Sequence, residues 1–363
     1  VPTITPPPGY TAAQQVTVGT GATSVGGSTV TPVAQRGTDY AVRISLIGAA
    51  ATPVYAALSD QAAGLDLSVW WYNGTVYAQI DCDVEAVGPA AISVWFKLQA
   101  AIGGLSSDGN YLLAYGNPSP TIRRAWANIY PLQDDFTGST LDLSKWSNYN
   151  GVILSFAGSV MTIKNSTTMD IPHNNCGVQS VLQYGDGFAL RGRGTMPRPA
   201  ILNSPTIHTS LRLSNGDSSQ NGGATRHECL IWNDPGNGAG TSPPSNPTNW
   251  EVSSFNDDGS GHFSVPATLQ AVDAANHIFN VGRDPASGNA YGWVDEAAVG
   301  QTTDQPSSIP GWVCMHPTGD NNPNCVTQTW DWMKLRPFVA AEPTTALGVQ
   351  VFNLPGLVAW PFA

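Results

Sequence analysis

The sequence predicts an all-β protein built as two sandwiches, and three observations carry that prediction. Glycine and proline are abundant, 38 and 28 of 363 residues, with no short period between them, which is the composition of many short strands joined by turns. Apolar residues alternate with polar ones in run after run, as in Tyr40-Ala-Val-Arg-Ile-Ser-Leu-Ile47, the pattern of half-buried strands. The stretch Tyr111 to Trp146 then stops one set of strands and starts another. YLLAY runs into Gly-Asn-Pro-Ser-Pro, which no ladder can cross because proline lacks a donor. DDFTGSTLDLSKW follows as a turn-rich opening to a new sheet. A chain of this length supports two cores.

Taken in order, residues 1–38 carry Pro-Pro-Pro and then TVGTGATSVGGSTVTPV. This is too little apolar surface for a core of its own. It reads as an extended arm that lies along a neighbour or adds a strand to another subunit's sheet. Residues 39–130 read as a small antiparallel sandwich. Val42, Ile44 and Leu46 share one strand face, as do Ile92, Val94 and Phe96 of AISVWFKL, and LDLSVWWYNGTVYAQIDCDVE reads as two strands joined at Asn73-Gly74. Residues 131–342 continue as a second sandwich. GVILSFAGSVMTIKN is a hairpin, QSVLQYGDGFALRGRGTM a strand and its neighbour, and HECLIWND, NWEVSSFND, NHIFNVGRD and NAYGWVDE are short strands between turns. Residues 343–363 form an apolar tail, with VQVFNLPGLVAWPFA carrying no charge. Exposed alone it would aggregate, so it is expected to pack on this chain or under another subunit.

The order LDLSVWWYNG, ISVWFKL, YLLAYGNPSP, DDFTGSTLDLSKW resembles the domain of unknown function 2341 family. That resemblance, over about residues 39–345, implies a small β-sandwich ending on Tyr-Gly-Asn-Pro and followed by a concanavalin-A-like β-jelly roll. WDWMKLRPF likewise resembles the closing strand of concanavalin-like glucanases, which lies beside the domain's first strand. By that likeness Asp331 is the position of a structural calcium ligand, against the alternative that it caps nearby backbone amides. No other cofactor is expected.

Concanavalin-like jelly rolls often bind glycans, with aromatic rings under the sugar faces and amides or carboxylates on the hydroxyls. The resemblance therefore makes Trp232 with Asn233 and Asp234, Trp250, and Tyr291 with Trp293 the glycan-binding candidates, against the plainer reading of each Trp as core. A retaining glycosidase needs two carboxylates about 5–5.5 Å apart, which the related glucanases carry as Glu-x-Asp-x-(x)-Glu on one strand. No such run occurs. Asp81, Asp83 and Glu85 alternate in the wrong domain and read as a solvated strand face, while Glu228 and Asp234 are too loosely spaced. The six histidines form no His-Glu-x-x-His, and Gly-x-Ser-x-Gly is absent. The chain therefore reads as non-enzymatic.

A net charge of −11 with only four lysines argues against nucleic acid as a partner. No apolar run is long enough for a transmembrane helix, and VPTITPPPGYT does not read as a signal peptide. Of five cysteines, Cys314 and Cys325 flank the polar turn MHPTGDNNPN and would face each other across a hairpin. Cys176 and Cys229 are candidates for a long-range bridge, and Cys82 reads as a buried thiol. The arm, the tail (residues 349–363 above all) and the missing dyad together point to a structural or adhesion protein on a virion surface. Phage tail, fibre or capsid decoration is the expectation, with a glycan-binding jelly roll, contacts to copies of itself or to other virion or filament proteins, and host-surface glycans as ligands. A secreted prokaryotic adhesin or filament subunit, extracellular rather than virion-bound, is the second reading. A glycoside hydrolase is the third.

Overall fold

The computed structural model describes residues 5–19, 37–104, 106–149, 152–164, 177–197, 209–214, 228–233, 249–255, 261–263, 271–302, 310–317, 327–340 and 342–352. The chain divides into two units, Val1–Pro131 with Ala341–Ala363, and Leu132–Ala340. Among the described residues nearly all regular structure is strand, the exceptions being one short helix, Ala51–Ala57, and two 3-10 turns. None of these helices is long and apolar enough to cross a membrane.

The first unit has a five-stranded and a three-stranded sheet. In the three-stranded sheet Ala41–Ile47 pairs with Ala91–Lys97, and the register sets Val42 opposite Phe96, Ile44 opposite Val94 and Leu46 opposite Ile92. Alternation puts all six on one face, where each is at most 3 % exposed. The five-stranded sheet corrects the expectation of a separate arm and tail. Ala12–Gly19 lies between Ser107–Tyr115 on one side and Thr344–Phe352 on the other, all antiparallel. Ala12, Ala13, Val16 and Val18 are buried. These four positions of the segment expected to reach other subunits thus serve this chain's own core, and residues 350–352 pair with Ala12 to Gln14. Residues 20–36 and 353–363 lie outside the described residues.

Tyr-Gly-Asn-Pro now has a physical account. Gly116 sits at φ +79, where a Cβ would come within 2.0 Å of Thr11 Oγ1, so the start of the Ala12–Gly19 strand passes against a bare backbone. The Gly116 amide donates to Asp66 Oδ2 (2.8 Å), which also accepts from the Ser59 amide (2.7 Å). Asn117 Oδ1 turns the chain by accepting from the Ser119 amide (2.9 Å). At Asn73 the expected hairpin forms between Ser68–Tyr72 and Tyr77–Ile80, but with a longer loop than a two-residue turn. Asn73 Oδ1 accepts from the amides of Thr75 and Val76, both at 3.0 Å. The second expected strand is also cut in two, because Tyr77–Ile80 and Cys82–Val87 belong to different sheets.

The carboxylates of IDCDVE are not a solvated face. Asp81 holds Arg123 (3.3 Å) and Asn128 Nδ2 (2.9 Å). Asp83, 2 % exposed, accepts from the Tyr130 hydroxyl (2.8 Å), and Glu85 accepts from the Trp95 indole (3.2 Å). Asp81 and Asp83 pin the segment that leads out of the unit. Cys82 is buried as expected; its Sγ accepts from Arg124 (2.8 Å) and desolvation pushes its thiol up to about 11, far from the reactive thiolate range.

The second unit is a jelly roll of an eight-stranded and a seven-stranded sheet. Its ends are stitched as the sequence suggests: Leu132–Asp134 pairs with Thr327–Pro337, Asp134 opposite Met333. Asp134 explains the spacing in DDFTGSTLDLSKW. One oxygen accepts from the Phe136 amide (3.0 Å) and the other from the Trp146 indole (2.8 Å). That grip holds Phe136 at φ 49, a backbone region bulky residues avoid. Phe279, Val281, Trp330, Met333 and Leu335 of one sheet meet Trp146, Leu211, Ile231, Trp250, Val252, Val313 and Met315 of the other in one core. Gly292 lets the sheets close, since a Cβ there would stand 2.2 Å from Val252. Gly177–Tyr184 and Phe188–Thr195, expected as neighbours, lie in opposite sheets. The turn between them crosses the sandwich.

Candidate functional site

The outer face of the eight-stranded sheet collects the groups a ligand would use. Along Ala290–Val294, alternation sends Ala290, Gly292 and Val294 toward the core and leaves Tyr291 and Trp293 half-buried on the other side. Their rings are nearly parallel, 14° apart in plane with centroids at 6.1 Å. Phe338 backs both, at 5.9 Å from Tyr291 and 6.0 Å from Trp293. The residue opposite Trp293 in the ladder is Asn280. It is 7 % exposed, and among the described residues its side-chain oxygen has no hydrogen-bond partner, an arrangement that costs about 1–3 kcal/mol unless something fills it.

The same sheet carries cations. Arg336 lies 5.7 Å from the Phe338 ring, and Lys334 Nζ 4.1 Å from that of Trp332. Arg191, opposite Asn280 on the other side, bonds Glu296 at 2.5 Å. At the far end, His277 stands between two carboxylates, with Nδ1 2.6 Å from Asp295 and Nε2 2.8 Å from Asp273. Sequence reasoning missed this histidine. The i,i+4 spacing from Asp273 was visible, but Asp295 reaches it only through the pairing of two strands.

Asp331 does not suit a calcium ion. Its Oδ2 accepts from Asn276 Nδ2 (2.7 Å) and pairs with Arg193 Nε (3.2 Å). Calcium wants six to eight oxygens, whereas here nitrogen donors occupy the carboxylate. Among the described residues no group of three His, Cys, Asp or Glu could hold a metal.

The other expected site residues are dispersed. Trp250 is core: fully buried, 4.9 Å from Phe279 edge to face, it shares the inward parity of Val252. Trp232 and Asn233 end the strand Glu228–Asn233 on the opposite sheet, with Trp232 across from Glu251. Asp234 lies outside the described residues. Cys229 and Cys314 are both buried, at 1 % exposure each. Cys229 packs in the core between the sheets, while the parity of Val313 and Met315 sets Cys314 on the other face. Cys176 and Cys325 fall outside the described residues.

Among the described residues, two hollows lie elsewhere. One of about 10 Å³, room for a single water, lies at an end of the jelly roll beside Tyr184, Ser214 and the Asp186–Arg283 ion pair (3.5 Å). The other, about 260 Å³, belongs to the first unit and is lined by Tyr40, Arg43, Ser45, Trp95, Glu342 and Thr345. Arg43 stacks there over Trp95 at 5.3 Å.

No protein-family model matches the chain, and no curated protein matches it in sequence. Solved structures do. A prokaryotic β-1,3-1,4-glucanase (lichenase) from a mouse hindgut metagenome is 15 % identical with a TM-score of 0.40, over 57 % of this chain and 99 % of that one. The Bacillus licheniformis β-glucanase is also 15 % identical, TM-score 0.39, over 57 % and 98 %. An immunostimulatory antigen and pseudo β-1,3-glucanase of Mycobacterium tuberculosis is 16 % identical, TM-score 0.39, over 58 % and 99 %. At such identities the likeness is one of fold. The expectation of a virion-surface structural or adhesion protein is corrected by these findings: the solved structures the chain resembles carry the names of β-glucanases and a pseudo β-glucanase.

Proposed function

We propose that the Leu132–Ala340 unit binds a carbohydrate chain on the outer face of its eight-stranded sheet, with Tyr291 and Trp293 as the stacking surface, and does not cleave it. The observation that carries this reading is the nearly parallel, half-buried pair of rings beside the unfilled acceptor of Asn280. Apolar C–H faces of a pyranose pack on such rings, and a sugar hydroxyl supplies the donor that Asn280 Oδ1 needs; few, well-placed polar groups on an apolar surface are what orient a small ligand. Support for binding without cleavage comes from the acidic groups around the pair. Glu296 is held by Arg191, Asp331 by Arg193 and Asn276, and Asp273 and Asp295 by His277. Each is engaged where hydrolysis would want a carboxylate available to the scissile bond.

A glycan array on the whole protein, followed by calorimetric titration of the best oligosaccharide, tests this. Trp293→Ala should weaken binding about tenfold or more, a change of roughly 1.4 kcal/mol, with the fold intact by circular dichroism. Unchanged affinity removes the proposed surface. Release of reducing ends from the bound glycan removes the non-cleaving half of the proposal.

A further inference from the structure

The hairpin that carries Tyr291 and Trp293 is fastened at its tip by an ionisable group. Asp295 and Glu296, at φ 49 and 69, form the two-residue turn between Ala290–Val294 and Ala297–Gln301, in the left-handed conformation such turns require. Asp295 does not merely turn. Its amide donates to the Ile278 carbonyl (2.9 Å), its Oδ1 accepts from the Ile278 amide (2.8 Å), and its Oδ2 meets His277 Nδ1 at 2.6 Å. The other ring nitrogen meets Asp273 at 2.8 Å.

A neutral imidazole has one N–H and one lone pair. It can satisfy one of these carboxylates only by turning a lone pair on the other, whereas an imidazolium donates to both. The remaining charged groups nearby are already matched: Glu296 by Arg191, and Asp331 by Arg193 and Asn276. On its remaining side the ring rests at 5.9 Å against Phe279, which offers no competing charge.

We infer that His277 is a proton-gated clasp on this hairpin, so that the ring pair holds its carbohydrate more tightly when the histidine is charged than when it is neutral. The inference rests on the binding site proposed above and adds its regulation. Burial opposes the charge on His277, but the hydrogen bonds to Asp295 and Asp273 outweigh it and hold the imidazole above its ordinary 6.5. Asp273 is held below 3.8 by the same bond and by the Ala275 amide. For a group raised on folding, the stabilisation is complete below the unfolded value and disappears as pH climbs through the folded one. For the lowered carboxylate it is present above 3.8 and lost on further acidification. The clasp therefore closes in the mildly acidic range and opens on the alkaline side.

The test uses the full chain. The NMR signal of His277, identified by its disappearance in His277→Gln, should titrate above 6.5, and Asp273→Asn should bring that titration down without touching the turn. The melting temperature of the wild type should fall by roughly 2–4 °C from about pH 6 to about pH 9 relative to His277→Gln. Affinity for a mixture of β-glucan oligosaccharides, the probe, should fall several-fold over the same interval in the wild type and stay level in the variant. Titration at or below the ordinary value, or identical pH profiles for wild type and variant, overturns the clasp. Absence of carbohydrate binding at every pH, with titration and melting as stated, overturns the binding site and its regulation together while supporting the latch on the hairpin.

Discussion

The two units solve the same problem with opposite uses of the chain. The jelly roll is one continuous stretch, Leu132–Ala340, and its first strand pairs with its last. The first unit is discontinuous: it takes Ala12–Gly19 from one side of the jelly roll and Thr344–Phe352 from the other, and lays them together in a single sheet. A unit closed on itself in sequence can fold when its own last strand is made. A unit that needs residues on both sides of another domain can complete its sheet only after that domain has been synthesised. The price of the second arrangement is a loop closure more than three hundred residues long between partners such as Val16 and Leu347, a cost that grows only slowly with length.

Removing residues 341–363 should break the comparison most severely. The Ala12–Gly19 strand would lose the partner on one whole side, and the first unit's cooperative unfolding transition should vanish while that of the jelly roll survives in calorimetry. A single transition lost as a whole would show that the two units are one energetic body. Next in size is Trp146→Ala. It empties a fully buried site and strips Asp134 of its indole donor, so the jelly roll should lose about 3–5 kcal/mol in denaturant titration with the first unit unmoved. Gly116→Ala is the counterpart on the other side. A Cβ at φ +79 facing Thr11 Oγ1 costs at least about 1–2 kcal/mol, and the loss should fall on the first unit's transition alone.

Smaller still is Asn73→Ala, which removes two hydrogen bonds to an exposed loop and should cost about 0.5–1.5 kcal/mol. Asp81 sharpens the comparison through pH. Burial works to raise its pKa, but Asn128, the Ala125 amide and Arg123 prevail and lower it below 3.8. Its stabilisation is therefore present above that value and is lost on acidification through the folded pKa. Asp81→Asn should flatten the acid limb of the first unit, whereas His277→Gln flattens an alkaline limb in the second. Acid and alkaline losses appearing in the same unit would contradict the assignment.

Legibility followed contiguity. Val42, Ile44 and Leu46 against Ile92, Val94 and Phe96 were readable because alternation along each strand marks its buried face, and the structure pairs the two marked faces residue by residue. The joint at Tyr111 to Trp146 was readable because proline, glycine and Asp-Asp punctuate the backbone locally. The arm and tail were misread for a matching reason. Alternation in AAQQVTVG and in TTALGVQVF announces strands but not partners, and nothing local says that each is the other's neighbour. In the site, Tyr291 and Trp293 stood two apart on one strand and so shared a face by period alone, while Trp250 looked equivalent and proved to be core because the parity of its strand runs the other way.

Sequence by itself determined the class of the fold, the place where one unit gives way to the next, and which face of most strands is buried, because these depend on side-chain period and backbone punctuation within a few residues. Tertiary structure alone decided which strands are neighbours, that Asp83 and Glu85 are bound rather than solvated, that nitrogen donors occupy Asp331, and that His277 lies between two carboxylates from different segments. Those outcomes depend on register between strands far apart in the chain, and register is fixed by how whole faces pack.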